Sequence, residues 1–152
     1  MSQDYSFIVT DENLNIPEDI ISFKVRNLTT FPLNLEGYVI KSFIENKKNE
    51  INNRELDNDE LQIVFLLEKV ELINKKFIIV HTSDWADIPV DEFQAGFVNG
   101  KLIKESIYLN DSQDVTQKYN NAFEIMNYNP NFVRQFKDFY FAKMEFDKYK
   151  KN

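Results

Sequence analysis

A chain of 152 residues and 18.1 kDa has the length of one domain, and a globule of that size buries roughly 70% of its unfolded surface without help from disulfides or metal. Hydrophobic residues at 43%, with 14 Phe, 7 Tyr and 1 Trp, exclude a disordered acidic chain. The formal charge of -7 and a pI near 4.8 argue against binding nucleic acid through neutralised phosphates.

Tyr5 to Val9 reads as a first strand, ended by the polar run Thr10-Asp11-Glu12-Asn13. In residues 20–26, Ile21, Phe23 and Val25 alternate with Ser22, Lys24 and Arg26, the pattern of a half-buried strand, and Thr29-Thr30-Phe31-Pro32 is expected to break it. The period then changes. Leu35, Val39, Ile40, Phe43 and Ile44 recur at helical spacing and predict a helix over residues 35–48. Residues 46–60 are polar and charged, which reads as a loop.

Residues 61–72 are the most apolar stretch. Leu61, Ile63, Phe65 and Leu67 share one phase, and Val70 and Leu72 share the other, as a strand with a bulge near Glu68-Lys69 would give. A helix starting at Asp57 competes with that reading, because Asp57-Asn58-Asp59-Glu60 suits a helix start. The strand is preferred, since Phe77-Ile78-Ile79-Val80 follows the turn-like Asn74-Lys75-Lys76 and would complete a hairpin. Asn99-Gly100 tolerates the positive φ angles of a type I′ turn and predicts a hairpin between residues 93–98 and 101–109.

Beyond Asn110 the pattern turns helical. Asp111 or Ser112 can cap, and Val115, Tyr119, Ala122, Phe123 and Met126 form an apolar face. Asn129 and Pro130 suit the start of a last helix carrying Phe132, Val133, Phe136, Phe139, Tyr140, Met144 and Phe146. The expected fold class is therefore α+β: a single domain over residues 1–152, mainly antiparallel sheet, with one early helix and two C-terminal helices packed on it.

The chemical inventory is short. With no cysteine, disulfides, zinc-thiolate sites and thiolate nucleophiles are excluded. The three glycines, Gly37, Gly96 and Gly100, are too few and too scattered for a phosphate-cradling loop. The N-terminus carries no basic region followed by an apolar run, and no stretch approaches the roughly 20 apolar residues that span a bilayer, so a cytoplasmic protein without membrane insertion is expected. No cofactor and no metal site are expected.

His81 is the sole imidazole, and His81-Thr82-Ser83-Asp84 places Ser, His and Asp together. Neighbouring strand residues rarely supply the geometry of a triad, which usually converges from distant segments. A small hydrolase or metal-dependent enzyme using His81 with nearby carboxylates is thus the alternative reading, and a polar residue at a strand end is the plainer one. Residues 84–92 hold Asp84, Asp87, Asp91 and Glu92 with no basic residue, and Trp85 beside them. The spacing fits no EF-hand, and one histidine is too few for catalytic zinc. These residues read equally as a solvated loop that Trp85 anchors to the core and as a loop that binds a partner, with the carboxylates supplying charge and Trp85 an aromatic anchor. Asp57, Asp59 and Glu60 form a second acidic cluster, a further contact if the fold brings it near, or a helix cap.

Charge is unevenly spread. Residues 130–152 carry net +3, and residues 1–129 carry -10. An acidic face speeds encounter with a cationic surface and fits a groove made for phosphates. The expected function is non-enzymatic: an acidic inhibitor that docks a basic protein partner, such as a toxin or nuclease domain, in the manner of toxin-neutralising immunity proteins of bacteria or phage. A phage DNA mimic shares the same acidic logic with a different target.

Overall fold

In a computed structural model, which describes residues 2–25, 27–85, 88–111, 114–118 and 122–126, the first strand has two faces. Along β1 (Ser2–Thr10), Ile8 joins one apolar cluster, and Tyr5, Phe7 and Val9 join another on the opposite side. Alternation at a period of two makes this inevitable once both faces are covered. The chain continues through β2 (Phe23–Val25) and β3 (Leu28–Leu33). After α1 (Gly37–Lys48) and α2 (Asn58–Lys69) come β4 (Phe77–Trp85), β5 (Ile88–Val98), β6 (Lys101–Asp111) and β7 (Asp114–Lys118). The strands form one sheet in the order β2-β3-β1-β4-β5-β6-β7, antiparallel at each pairing. The class is α+β.

Both helices cover the same face. Val39, Ile40, Phe43 and Ile44 of α1 and Ile63, Val64 and Leu67 of α2 pack with Ile8, Phe31, Ile79, Ala95 and Phe97 of the sheet. Phe77 and Phe97 pair across β4 and β5 and stack, with ring centroids 4.8 Å apart. On the other face Tyr5, Phe7, Val9, Leu28, Ile78 and Val80 are buried with Ala122 and Met126 of a short 3-10 helix, Ala122–Met126.

The segment 61–72 is a helix where alternation predicts a strand. Its buried positions are Glu60, Ile63, Val64 and Leu67, a 3.6-residue period, whereas Phe65 is 60% exposed and Leu61 is half-buried. Asp57 starts the helix as part of a capping box, and left-handed Glu71 (φ 60°) follows its end. β4 consequently pairs with β1 and β5.

The expected break at Thr29-Thr30-Phe31-Pro32 is the middle of β3. Pro32 is tolerated because β2 pairs with β3 only as far as Thr30, so Pro32 lies past the neighbour that would want its missing N–H. The strand expected over residues 20–26 shrinks to Phe23–Val25, and Ile21 is 48% exposed.

Among the described residues the helix expected from Asp111 or Ser112 is not found: Asp111 pairs with Asp114, and Val115 lies in β7 along the edge of β6. Among the described residues of that stretch, Ala122–Met126 forms a 3-10 helix. Ser112 and Tyr119 lie outside the described residues, as does the last helix expected from Asn129 and Pro130 onward. The periodic segment 35–48 does form α1, and Asn99-Gly100, with φ of 54° and 80°, makes the β5–β6 turn.

Candidate partner-binding surface

Residues 84–92 are two arms of a hairpin and its tip, not a free loop. Trp85 pairs with Ile88, Asp84 with Pro89, Ser83 with Asp91 and Thr82 with Glu92, with a bulge that leaves Val90 as the extra residue. Asp87 lies outside the described residues, between the two strands in sequence. Antiparallel pairing then fixes what lies beside this tip. β1 runs up to it with Ser2 opposite Trp85, Gln3 opposite Asp84 and Asp4 opposite Ser83. On the other side Leu109 is opposite Asp91 and Tyr108 opposite Glu92, so the β6–β7 turn, closed by Asp111 and Asp114, falls at the same end of the sheet.

Five adjacent strands, β1-β4-β5-β6-β7, therefore bring Asp4, Asp84, Asp91, Glu92, Asp111 and Asp114 to one sheet end. At about 4.8 Å per strand step that end is roughly 19 Å wide. No Lys or Arg precedes Lys24, and none occurs between Lys76 and Lys101 or between Lys104 and Lys118. These three segments hold 12 of the 25 acidic residues; seven of the 12 are the six at this end by register and Asp87, which lies between β4 and β5 in sequence.

Elsewhere carboxylates meet lysines. Lys76 Nζ lies 3.0 Å from Asp11, and Lys48 Nζ lies 2.8 Å from Glu105. The Glu105 hydrogen bond raises the pKa of Lys48 above its ordinary value. Lys69 donates to Asp19, and that hydrogen bond holds the Asp19 carboxyl below its ordinary 3.8.

The second acidic cluster serves the fold. Glu60 N–H donates to Asp57 Oδ1 at 2.9 Å, and Asp57 N–H donates to Glu60 Oε2 at 3.1 Å. Asn46 Nδ2 donates to Glu60 Oε1 at 2.9 Å, and Glu60 is only 2% exposed. Buried and bonded in this way, Glu60 offers no charge to a partner. Asp59 is exposed and accepts from Gln62 at 3.4 Å. Asn46 sits near the C-terminus of α1, which borders the β5–β6 turn, so Asp57, Asp59 and Glu60 lie away from the acidic sheet end. The structure does not join the two clusters.

His81 is buried in the middle of β4, 3% exposed. Its Nδ1 shares a hydrogen bond of 2.8 Å with Ser6 Oγ, which also donates to the Leu35 carbonyl at 3.5 Å. The ring stacks on Phe93 at 6.0 Å. It fills the space beside Gly37 at the start of α1, so its neighbours are those of a core tie between sheet and helix. The serine bonded to it, Ser6, is its partner across β1 and β4. Among the described residues no group of three or more His, Asp or Glu side chains is placed to hold a metal, and no helix is long and apolar enough to cross a membrane.

Asp4, Asp111 and Asp114 were the members that the sequence reading missed. Counting back from the Asn99-Gly100 turn would have put Asp91 level with the end of β6 within one residue, but the misread helix after Asn110 hid the return strand. Compared with known protein families, curated proteins and solved structures, the chain matches none.

Proposed function

We propose that the chain is a binding protein whose acidic sheet end docks a basic protein partner, as a toxin-neutralising immunity protein of bacterial or phage origin would. The observation that carries this reading is the convergence of three segments without lysine or arginine at one end of five strands, which brings Asp4, Asp84, Asp91, Glu92, Asp111 and Asp114 there by register. Like charges gathered at one sheet end oppose one another and do not by themselves favour folding. They do raise encounter rates with a cationic groove and reject acidic surfaces. Trp85, the single tryptophan, sits at the last position of β4, among them by register, and supplies the kind of residue that anchors interfaces. His81 supports an enzyme less well, because its ring is buried and held by Ser6 and Phe93.

The test compares two tagged variants of equal charge in pull-downs from the native host. Asp84→Asn/Asp91→Asn/Asp111→Asn/Asp114→Asn removes four of the seven carboxylates assigned to the acidic end, and Glu18→Gln/Glu45→Gln/Glu55→Gln/Glu68→Gln removes four exposed charges elsewhere. The first should lose a captured basic protein by about 100-fold or more in affinity, and the second should retain it. Titration of that protein against the wild type should weaken steeply with salt. Equal binding by both variants, or affinity indifferent to salt, removes the reading.

A further inference from the structure

Asn99 is the only asparagine of the chain that is followed by glycine. The pair forms the β5–β6 turn, with φ of 54° at Asn99 and 80° at Gly100, and both residues are exposed. Strand pairing closes at Val98 and Lys101, so neither turn residue lies within the ladder. We propose that this turn is a site of self-modification, at which the Gly100 backbone nitrogen attacks the Asn99 side-chain amide. The products are aspartate and isoaspartate, and the isoaspartate form loosens the hairpin.

The chemistry needs only water and hydroxide. The Gly100 N–H gives its proton to hydroxide, and the nitrogen bonds to Asn99 Cγ. The Cγ–Nδ2 bond breaks, and Nδ2 leaves as ammonia after taking a proton from water, which restores the hydroxide. Water then opens the cyclic imide. Cleavage between Cγ and the nitrogen leaves an aspartate in an ordinary peptide chain. Cleavage between the main-chain carbonyl carbon and the nitrogen leaves isoaspartate, whose chain runs on through Cβ and Cγ.

Two features single out Asn99. Glycine has no Cβ, so nothing on residue 100 blocks the approach of its nitrogen to Cγ. The residue after every other internal asparagine carries a side chain. Closing the imide also requires Asn99 to rotate about its Cα–C bond, and that rotation breaks no strand pair, because the ladder stops at Val98 and Lys101. Restraint comes from the α2–β4 connection: a Cβ at Gly100 would lie 3.4 Å from the Ile73 carbonyl oxygen and 3.6 Å from Asn74 Oδ1. The folded chain should therefore react at this turn more slowly than the unfolded chain, and faster than at its other asparagines. Aspartate tolerates the left-handed turn much as asparagine does. Isoaspartate adds an extra backbone atom to a turn whose register seats buried Phe97 on Phe77, with ring centroids 4.8 Å apart. The turn lies at the opposite end of the sheet from the acidic carboxylates, so the modification is independent of the partner proposed above.

The test incubates the full chain in mildly alkaline buffer, folded and in urea, and follows every asparagine by peptide mass mapping. The peptide holding residue 99 should gain the mass of an amide-to-acid exchange about tenfold faster than any other in the folded chain. It should appear as two chromatographically distinct products of equal mass, since isoaspartate arises only through the imide. Asn99→Gly keeps two residues that adopt positive φ, and should fold and yield neither product. Folded chain enriched in isoaspartate should melt below the unmodified chain, and freshly purified Asn99→Asp should melt with it. No mass gain at residue 99 in the folded chain, a rate no greater than at the other asparagines, aspartate as the sole product, or an isoaspartate form as stable as the unmodified chain overturns the proposal.

Discussion

Gly37 and His81 occupy one space between them: a Cβ at position 37 would lie 2.5 Å from His81 Nε2 and 2.9 Å from Cε1. Real Cβ atoms do not approach so closely, and the imidazole has little room to move, held by Ser6 on Nδ1 and by Phe93 on its face. Gly37→Ala should therefore destabilise the chain by about 1–3 kcal/mol, even though alanine is the better helix former. Urea unfolding of the single variant and of Gly37→Ala/His81→Ala gives a coupling energy. The double variant should cost clearly less than the two single changes together. Additive costs would mean that the ring and the helix start do not share that space.

The Asp57–Glu60 box offers a second stability test. Asp57→Ala removes an N-cap acceptor and should cost about 1 kcal/mol, as caps usually do. Glu60→Ala also strands Asn46 Nδ2 and the Asp57 N–H, and should cost about 2–3 kcal/mol. Neither change should alter partner capture, since the box lies away from the acidic sheet end. A loss of capture by a stably folded Asp57→Ala protein would return these residues to the interface.

That box also explains which parts of the fold were legible. Segment 61–72 satisfies a strand pattern and a helix pattern at once, because Leu61, Ile63, Phe65 and Leu67 alternate while Ile63, Val64 and Leu67 recur at helical spacing. Cap chemistry at Asp57 and Glu60 decides for the helix, whereas the turn-like Asn74-Lys75-Lys76 ahead of Phe77 suggests a hairpin. Local signals tied to backbone φ, such as Asn99-Gly100, came through intact. β3 and β7 did not, because their strand character comes from neighbours: β1 and β2 flank Thr30, and the open edge of β6 pairs with Val115. For the site, Asp84, Asp91 and Glu92 were readable as an acidic run. Their gathering with Asp4, Asp111 and Asp114 is a property of strand order, which no local pattern encodes.

Lys47 gives a pH signature. Its folded pKa lies below its ordinary 10.5 because burial disfavours the ammonium. Between the folded and unfolded values the unfolded chain binds more protons, so stability rises with pH across that window. At neutral pH the charged form detracts from stability. Lys47→Met should therefore raise the urea midpoint at pH 7, and the advantage should shrink as pH climbs toward 10.5. A variant that is less stable at pH 7, or an advantage that grows with pH, would assign Lys47 a net stabilising partner.

Crowding at the acidic sheet end should be visible without any partner. Seven carboxylates in segments free of lysine and arginine repel one another through solvent, and salt screens that repulsion within a Debye length of about 10 Å at 0.1 M. Screening also weakens the surface pairs Lys76–Asp11 and Lys48–Glu105, but exposed pairs are worth little, so the repulsive term dominates. The wild-type Tm should rise with sodium chloride. Asp91→Asn/Asp114→Asn should raise Tm by about 2–4 °C at low salt, for a gain of about 1 kcal/mol in a chain of this size. By about 1 M salt the two proteins should melt together, because the Debye length there is about 3 Å. Melting curves that ignore salt, or a variant no more stable than the wild type in dilute buffer, would show that these carboxylates do not confront one another.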